Sequence, residues 1–360
     1  MNTLLKTTAL IVVATTLITT ACRKKKEEEV VTPPAVVDAL PQTVIESFAN
    51  NIALPQYNDI STDANNLVSS IANLSATTTQ ANLVAAQQNW RNLRATWELS
   101  EAFLFGPVAT QDLDPNVDSW PVNKKDFDSL LVSSSTLNDT TVANFQTTLK
   151  GFHALEYMLF GVNQSKQASD FTTREKQYMI AVTNDLKTNC NKMYNGWAKN
   201  SGNYYATFTT TNTVYTNKQA TLITLADAIA GICDEVGEGK IKEVYEAQDP
   251  TLEESPFSQN SFTDFKNNII GVRNVYLGTY KGTDGKGLED VVRQYNLSLD
   301  TKIKQQLDVA INSFSGFSKP FGEAIVSEKT QVQNTINALA TLKTTLETEL
   351  KPLIQANIKQ

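Results

Sequence analysis

The chain has 360 residues, of which 31 are basic, 38 are acidic and one is a histidine, so its formal net charge is −7 at pH 7. This acidic balance provides no basic face for phosphate groups and therefore excludes nucleic acid as an expected partner. Hydrophobic residues make up 41% of the chain, enough for a real core, and about 320 residues beyond the N-terminal segments suggest two domains.

The N-terminus predicts a secretory signal peptide over residues 1–21. This segment has one charge, at Lys6, followed by an apolar run that is short for a membrane span. A small residue, Ala21, directly precedes Cys22, as in bacterial lipoprotein signals in which the cysteine is acylated and becomes the new N-terminus. Thr19 stands where such signals usually carry Leu or Val. We predict a lipidated Cys22, and an ordinary cleaved signal peptide is the alternative.

Residues 22–41 follow the predicted cleavage point and contain the run RKKKEEEVVTPP. Blocks of charge followed by two prolines have no core-forming pattern. We therefore interpret this stretch as a tether between a lipid anchor and the folded part of the chain.

Two further cysteines, Cys190 and Cys233, remain to be placed. Export to an oxidising compartment would allow them to form a disulfide, but the sequence does not show whether they meet. Two buried free thiols are the equally weighted alternative. Three cysteines in all are too few for a Cys-rich metal site.

The first strong helical pattern is NWRNLRATWELSEAFLFGP. Glu98 and Glu101 are three residues apart and share one face of this helix, with Arg94 one turn before Glu98. An Arg/Glu pair on a solvated helix face is common and needs no function. The neighbouring tryptophans and phenylalanines indicate a largely buried helix instead. Both glutamates are therefore candidate metal ligands, with Asp118 in the loop behind them.

The next clear helix ends with GFHALEYMLFG, residues 151–161, and contains the single histidine of the chain. His153 and Glu156 are three residues apart and share a helix face, while the remaining positions are apolar nearly all round. A buried carboxylate is costly unless a cation or hydrogen-bond donors satisfy it. Gly151 weakens a helix by about 1 kcal/mol relative to Ala, which makes sense if another backbone or a ligand must come close. A purely structural His/Glu pair is the competing interpretation.

Counting residues removes several enzyme classes. A thermolysin-like peptidase needs H-E-x-x-H, and a di-iron bundle site needs two Glu-x-x-His pairs, whereas this chain has one histidine in the order His-x-x-Glu. No G-x-S-x-G segment exists to present a serine nucleophile. A histidine with several carboxylates would suit iron, manganese or zinc.

Beyond residue 200 the chain passes through NSGNYYATFTTTNTVYTNK, which is rich in Asn, Thr and Tyr. We interpret it as the passage between two helical bundles, with domains at residues 42–202 and 203–360, the first of which contains the histidine motif. No segment shows the sustained two-residue alternation of strands, so the predicted class is all-α. GTDGKGLED lacks the spacing of a phosphate or calcium loop and is predicted to be a turn.

Several of these segments together resemble one known family. GFHALEYMLFG resembles the G-x-H-x-x-E motif of the imelysin family, also called the peptidase M75 family. WRNLRATWELSEAFLFGPV is similar to its W-x-x-x-R-x-x-[WY]-E-x-S-E-A-F-x-F-G-P helix. DSWPV, ESPFSQNSFTDFKNNIIGVRNVYLG and GTDGKGL resemble later blocks in the same order, so the resemblance spans roughly residues 42–355.

The resemblance implies an all-helical, two-bundle fold with a site near the junction of the bundles. It also implies a location in the bacterial envelope, often as a lipoprotein and often connected with iron acquisition. The residues that match the family motifs are Gly151, His153, Glu156, Arg94, Glu98, Ser100 and Glu101. The peptidase label comes from some members of the family, and the missing H-E-x-x-H counts against ordinary zinc proteolysis.

Our first hypothesis is an outer-membrane lipoprotein, facing the periplasm or the cell surface, that binds a metal ion or an iron-bearing ligand. Iron is the first choice of metal and zinc the second, and an uptake protein of the outer membrane is the expected partner. The predicted metal ligands are His153, Glu156, Glu98 and Glu101, with further binding contacts from Gly151, Arg94, Ser100 and Asp118.

Two alternatives belong to other classes. One is a metallopeptidase in which a metal held by His153 and Glu156 activates a water molecule. The other is a non-catalytic interaction module in which the His/Glu pair is only structural.

Overall fold

The structure is a computed structural model that describes residues 39–359. The predicted signal peptide, the lipidation site Cys22 and all but the last three residues of the predicted tether lie outside the described residues.

Helices make up nearly all of the regular structure between residues 39 and 359. The α-helices are, in chain order, α1 (Leu40–Ser47), α2 (Leu54–Ala76), α3 (Gln80–Ser100), α4 (Pro107–Thr110), α5 (Leu113–Val117), α6 (Lys124–Val132), α7 (Asp139–Ala143), α8 (Gly151–Phe160), α9 (Thr173–Trp197), α10 (Tyr204–Thr209), α11 (Lys218–Asp234), α12 (Val244–Ala247), α13 (Ser261–Leu277), α14 (Leu288–Tyr295), α15 (Leu297–Ser313), α16 (Phe321–Ser327), α17 (Lys329–Thr345) and α18 (Lys351–Asn357). The all-α prediction is confirmed.

Shorter elements interrupt or join these helices. In the described part of the chain, three segments are π-helical, Phe48–Ala53, Glu235–Glu243 and Leu346–Leu350. Five more are 3₁₀ turns, Glu101–Phe103, Thr147–Leu149, Val162–Gln164, Ala168–Asp170 and Pro250–Leu252. Two short antiparallel strands, β1 (Thr279–Tyr280) and β2 (Thr283–Asp284), pair Thr279 with Asp284 and Tyr280 with Thr283. This hairpin contains the start of GTDGKGLED, which was predicted to be a turn.

A first group of helices consists of α2, α3 and α9, with α8 packed on α9 and α3. In α2 the buried positions Ile60, Leu67, Ile71 and Leu74 recur at three, four and seven residues, the spacing of one helix face. The chain enters α9 through a capping box in which the Thr172 and Glu175 side chains satisfy each other's backbone N–H groups. These helices carry the motif residues of the first half of the chain.

A second group consists of α11, α13, α15 and α17, and α1, the first helix of the described residues, packs against α11 and α14. Its core follows from the same spacing, as in α17, where Val332, Ile336, Leu339 and Leu342 are buried. Residues 39–359 lie in one compact unit, so the domain boundary between residues 202 and 203 stays a prediction.

Helices α3 and α13 bring the two groups together. A Cβ atom on Gly271 of α13 would lie 2.3 Å from the carbonyl oxygen of Leu99 on α3, so only glycine allows this approach. The close crossing places Asp264 and Asn268 of α13 directly over the polar face of α3.

Cys190 on α9 and Cys233 on α11 are both buried free thiols. Of the two alternatives, the structure therefore has the pair of free thiols and not the disulfide. Burial raises the pKa of both thiols. Within residues 39–359, none of the helices combines the length and the apolar character needed to cross a membrane.

Candidate functional site

The site begins with the close approach of α5 to the start of α8. Gly151 has a φ of +76°, and a Cβ atom there would lie 2.3 Å from the carbonyl oxygen of Val117. The expected close neighbour of this glycine is thus the backbone that ends α5. The next residue of that backbone is Asp118, which is thereby held against His153 on the first turn of α8.

His153 is 1% exposed and lies between two carboxylates. Its Nδ1 is 3.1 Å from Glu156 Oε2 and its Nε2 is 2.9 Å from Asp118 Oδ1, but Nε2 makes no hydrogen bond of normal geometry. Burial and the nearby Arg94 both oppose a charged ring. The contacts with Asp118 and Glu156 outweigh them and raise the pKa of His153 to about 9.

Glu156 is fixed from the opposite side by the loop before α13. Its Oε1 accepts hydrogen bonds of 2.7 Å from both the backbone N–H and the hydroxyl of Ser258. Arg91 holds this loop in turn, donating to the Ser258 carbonyl at 2.8 Å and to Asn260 Oδ1 at 2.7 Å. One oxygen of Glu156 is therefore saturated, and the other faces the Nδ1 atom of His153.

Asp118 joins the histidine to α3. Its Oδ2 accepts a 2.7 Å hydrogen bond from Trp97 Nε1, and its Oδ1 pairs with Arg94. Burial alone would raise the pKa of Asp118, but Arg94 and the close contact with His153 hold it well below its usual range. Asp118 is thus a permanent carboxylate at the centre of a cluster of buried polar residues that surrounds Arg94 and His153.

Arg94 is fully buried and contacts carboxylates from three parts of the chain. It pairs with Glu98 and Asp118, lies 3.1 Å from Glu254 Oε1 and has its Nε 3.6 Å from Asp264 Oδ2. These carboxylates, between them, hold the pKa of Arg94 well above its usual range in spite of burial. Arg94 is therefore the internal counter-ion around which the acids assemble.

Glu98 and Glu101 are held by Asn268 of α13. The Asn268 amide donates to Glu98 Oε2 at 2.6 Å and to Glu101 Oε2 at 2.7 Å. Burial raises the pKa of both carboxyl groups well above its usual range, more than the neighbouring cations lower it. These two glutamates are buried as predicted from the aromatic residues of α3, and α13 supplies their partner.

Lys240 is the second internal cation. Its Nζ is 2.8 Å from both Glu101 Oε2 and Glu254 Oε1, and 3.7 Å from Glu235 Oε1. It also lies 5.3 Å from the ring centre of Trp120. Burial opposes the charge on Lys240, but the surrounding carboxylates raise its pKa well above the usual value.

The structure brings the predicted residues into one cluster, except that Ser100 has only a local role. Its hydroxyl donates to the carbonyl oxygen of Trp97 at 2.7 Å, a hydrogen bond within its own helix. Gly151 contributes through its lack of a side chain.

Sequence reasoning missed five further members of the cluster. These are Lys240, Glu254, Ser258, Asp264 and Asn268. Four of them belong to the segment ESPFSQNSFTDFKNN, which was noted as part of the family resemblance without any residue being singled out. Its density of Glu, Ser, Asn and Asp among phenylalanines was the available signal.

A cavity of about 480 Å³ reaches the cluster from one side. His153, Glu253 and Glu254 line it, and Pro121 and Phe257 are among its apolar wall residues. Burial raises the pKa of Glu253 to about 8. The volume suits a small organic molecule or a short chain segment.

Two sets of side chains could each hold a metal ion among the described residues. In each set one ligand atom per residue lies within 4.8 Å of all the others. The first set is Asp118, His153 and Glu254, and the second is Glu98, Glu101, Asp118 and Glu254. A histidine with carboxylates is a donor set that suits iron, manganese or zinc. Glu156 belongs to neither set.

The cluster as a whole has more acids than bases. Its buried carboxyl groups are Glu98, Glu101, Asp118, Glu156, Glu254 and Asp264, against the permanent cations Arg94 and Lys240. Buried carboxylates need protons or cations as compensation. Burial raises the pKa of Asp264 to about 7, so this carboxyl group can hold a proton in place of a cation near neutral pH.

The model of the family described as Imelysin, Peptidase_M75, matches residues 53–348. The cluster described above lies wholly within this range.

The chain is also similar to individual relatives. It is 26% identical over 319 residues to iron-regulated protein A of Synechococcus elongatus, and the match covers 86% of each chain. A crystal structure from Parabacteroides distasonis, which carries the provisional name iron-regulated protein A precursor, superposes with a TM-score of 0.78 at 24% identity, over 91% of this chain and 97% of that one. The crystal structure of an imelysin-like protein from Psychrobacter arcticum 273-4 gives a TM-score of 0.72 at 13% identity, over 88% of this chain and 96% of that one. These two structures show the fold.

Proposed function

The chain belongs to the imelysin, or peptidase M75, family, and on this premise we propose that it binds a metal ion through His153, Asp118 and Glu254. Iron is the metal that we propose first and zinc the second. The name of the Synechococcus relative supports iron, and so does a donor set of one imidazole and carboxylates.

The observation that carries the proposal is a buried carboxylate oxygen without a hydrogen-bond partner in a residue of the first metal set. Glu254 Oε2 has no partner although the residue is 1% exposed, and His153 Nε2 faces only Asp118 Oδ1, at 2.9 Å, without a hydrogen bond of normal geometry. A buried polar atom without a partner costs about 1–3 kcal/mol, and both atoms belong to residues of the first metal set. A bound cation would satisfy Glu254 Oε2 and, once the ring proton has left, would also be coordinated by His153 Nε2.

Glu156 has a different role in this proposal from the one expected from sequence. Because Ser258 saturates its Oε1, the remaining oxygen can accept the Nδ1 proton of His153 and fix the ring with Nε2 free to coordinate. A carboxylate behind a ligating histidine is a common arrangement that orients the ring and raises its basicity. We therefore assign Glu156 to positioning and Asp118 to direct ligation.

The cavity gives this centre an open side. His153 and Glu254 both line it, so coordination positions not used by the protein would face a space of about 480 Å³. A metal ion could arrive there alone or with a small organic chelator. The apolar wall residues would pack against the chelator's carbon skeleton.

We also propose that the protein is anchored in the bacterial outer membrane through a lipid on Cys22 and acts with an uptake partner there. The signal pattern before Cys22 and the charged tether after it support the anchor. The iron-related name of the relative supports a place in iron acquisition.

Metal analysis of the full chain, purified without chelator, tests the proposal. We expect one metal ion per chain, and iron titration by calorimetry under anaerobic conditions should show one site. His153→Ala and Glu254→Gln should each weaken binding at least tenfold, and Glu156→Gln about 10–100-fold. Lys124→Met, which removes an exposed cation at the rim of the same cavity, is the matched control and should bind like the parent chain. Binding that is unchanged in His153→Ala would overturn the proposal and leave an interaction module with a structural His/Glu pair.

A metallopeptidase is the second candidate, and Glu253 favours it. This carboxyl group lines the same cavity as His153, and with a pKa of about 8 it can exchange a proton with water near neutral pH. The candidate predicts chelator-sensitive cleavage of an unfolded protein. Glu253→Gln should abolish that cleavage while metal binding persists, and cleavage that survives in Glu253→Gln and Glu156→Gln would indicate a contaminating protease.

A further inference from the structure

We propose that the ammonium group of Lys240 occupies a second cation position of the cluster and so limits the protein to one metal ion. The inference rests on the proposed metal site and adds to it a reason for its stoichiometry. It concerns the second set of carboxylates, Glu98, Glu101, Asp118 and Glu254.

The two sets of candidate ligands overlap. Asp118 and Glu254 belong to both, while His153 belongs to the first set only. Carboxylates shared between neighbouring positions are the means by which dinuclear centres hold two metal ions about 3.5–4 Å apart. The cluster thus has the ligand arrangement of two adjoining cation positions.

Of the two cation positions, the first opens to the cavity and the second does not. The second already contains Lys240 Nζ, at 2.8 Å from both Glu101 and Glu254, and the lysine side chain is 1% exposed. Its distances match those of a charged hydrogen bond, and its charge compensates two carboxylates that belong to the second set. His153 and Glu254, in contrast, line the cavity.

A surplus acceptor of the second set argues that it is more than a closed ion pair. Glu254 Oε2 has no partner although the residue is 1% exposed, whereas Glu98 Oε1 pairs with Arg94. Arg94 contacts three members of the set, so the two internal cations share four carboxylates. If the lysine charge were removed, the set would need a replacement cation.

The backbone around Lys240 is adapted to turn this side chain inwards. It lies in the π-helical segment Glu235–Glu243, where one extra residue per turn shifts the register of the helix. Lys240 is buried there, while Lys242, two residues on, is exposed and pairs with Glu238. Such segments inside helices are often found at functional sites.

The stoichiometry of Mn²⁺ binding to the full chain tests this inference. We expect the parent chain to bind one Mn²⁺ and Lys240→Met to bind two, measured by elemental analysis after dialysis and by calorimetry. Two Mn²⁺ ions bridged by shared carboxylates should also give an exchange-coupled magnetic resonance spectrum. Lys242→Met removes an exposed lysine from the same segment and should retain one ion. If Lys240→Met is unstable, Lys240→Gln, whose amide can still donate to Glu101, takes its place.

The outcomes separate this inference from the proposed metal site. One ion in the parent chain and one in the Lys240 variant would overturn the inference and leave the metal site standing. No ion in the parent chain but one in the variant would support the second position and remove the first. No ion in either chain would overturn both.

Discussion

The cluster has two sides that are built from the same kinds of residue but differ in what balances their charge. On the cavity side, formed by His153, Glu156 and Glu254, the Oε2 atom of Glu254 has no hydrogen-bond partner, and His153 and Glu254 line the cavity. On the sealed side, formed by Glu98, Glu101 and Asp264, the carboxyl groups meet Arg94, Lys240, Asn268 and Ser255, and none of the three lines the cavity.

The difference shows that burial of acids does not by itself make a ligand site. The sealed side has the larger number of carboxyl groups, yet internal donors and cations already compensate much of its charge. The cavity side has fewer carboxyl groups, and one of their oxygens, Glu254 Oε2, lacks an internal partner. A site for an external ion is therefore indicated by missing partners together with access.

Removal of the central counter-ion should have the largest effect and should damage the sealed side first. We expect Arg94→Leu to lower the free energy of unfolding by about 3–5 kcal/mol, because it leaves buried carboxylates without their cation. Denaturant unfolding measures this. Lys124→Met, which breaks an exposed pair with Asp128, should change the free energy of unfolding by less than about 0.5 kcal/mol. Equal effects of the two changes would contradict the assigned role of Arg94.

The metal-free protein should lose stability as the pH rises, because of Asp264 on the sealed side. Its pKa is about 7 in the folded chain against an ordinary value of 3.8, so the folded state binds its proton more tightly. The resulting stabilisation is fully present below about pH 4 and is lost as the pH rises through 7, at about 1.4 kcal/mol per pKa unit.

Unfolding measured at pH 5 and pH 8 checks this expectation. Asp264→Asn should flatten the change between these two values. Glu253→Gln, on the cavity wall, should flatten the change across the whole of this range, because the pKa of Glu253 is about 8 in the folded chain against an ordinary value of 4.5. A pH dependence that is the same in all three chains would show that neither carboxyl group is responsible.

The pH dependence of metal affinity should sharpen the assignment of the cavity side. With a histidine of ordinary pKa, affinity would fall as the pH drops through roughly 6.5. The pKa of His153 is about 9, so a proton must leave Nε2 or Nδ1 across the whole neutral range before the ring can coordinate. We expect affinity to rise about tenfold per pH unit between 6.5 and 8.5, in zinc titrations at three pH values. In His153→Ala, the slope of the logarithm of the affinity against pH should decrease by about one, because one proton fewer is released on binding.

Two buried serines allow the smallest and most direct comparison of the sides. Ser258 donates its hydroxyl to Glu156 at 2.7 Å, and Ser255 donates its hydroxyl to Asp264 at 2.6 Å. We expect Ser258→Ala and Ser255→Ala each to cost about 1 kcal/mol of stability. Only Ser258→Ala should also weaken metal binding, by a few-fold, since Glu156 positions His153. A loss of affinity in Ser255→Ala alone would reverse the assignment of the two sides.

Local sequence patterns predicted the first half of the cluster well. Helical spacing put His153 and Glu156 on one face, and the aromatic neighbours of Glu98 and Glu101 indicated their burial. Gly151 was recognised as a position of close approach because glycine is costly inside a helix. Each of these conclusions depends on residues within one or two helical turns.

The partners from the second half could not be predicted in the same way. Glu254 and Asn268 reach α3 only because α13 crosses it, about 170 residues further along the chain, and no periodicity encodes that contact. Lys240 belongs to the segment EVGEGKIKE, whose many charged residues are typical of a solvent-exposed helix. Its π-helical turns displace it from the face that a 3.6-residue period would assign.

The glycine contact between α3 and α13 has a mechanical consequence. With Gly271 against the Leu99 carbonyl and Arg94 bound to Asp264 and Glu254 across the crossing, the helices cannot separate without exposing buried charges to a partly formed interface. A hinge motion that separates α3 from α13 at this crossing is therefore costly. Entry and release of a ligand would instead depend on movement of the loops around Pro121 and Phe257, which line the cavity, while the two helices keep their positions.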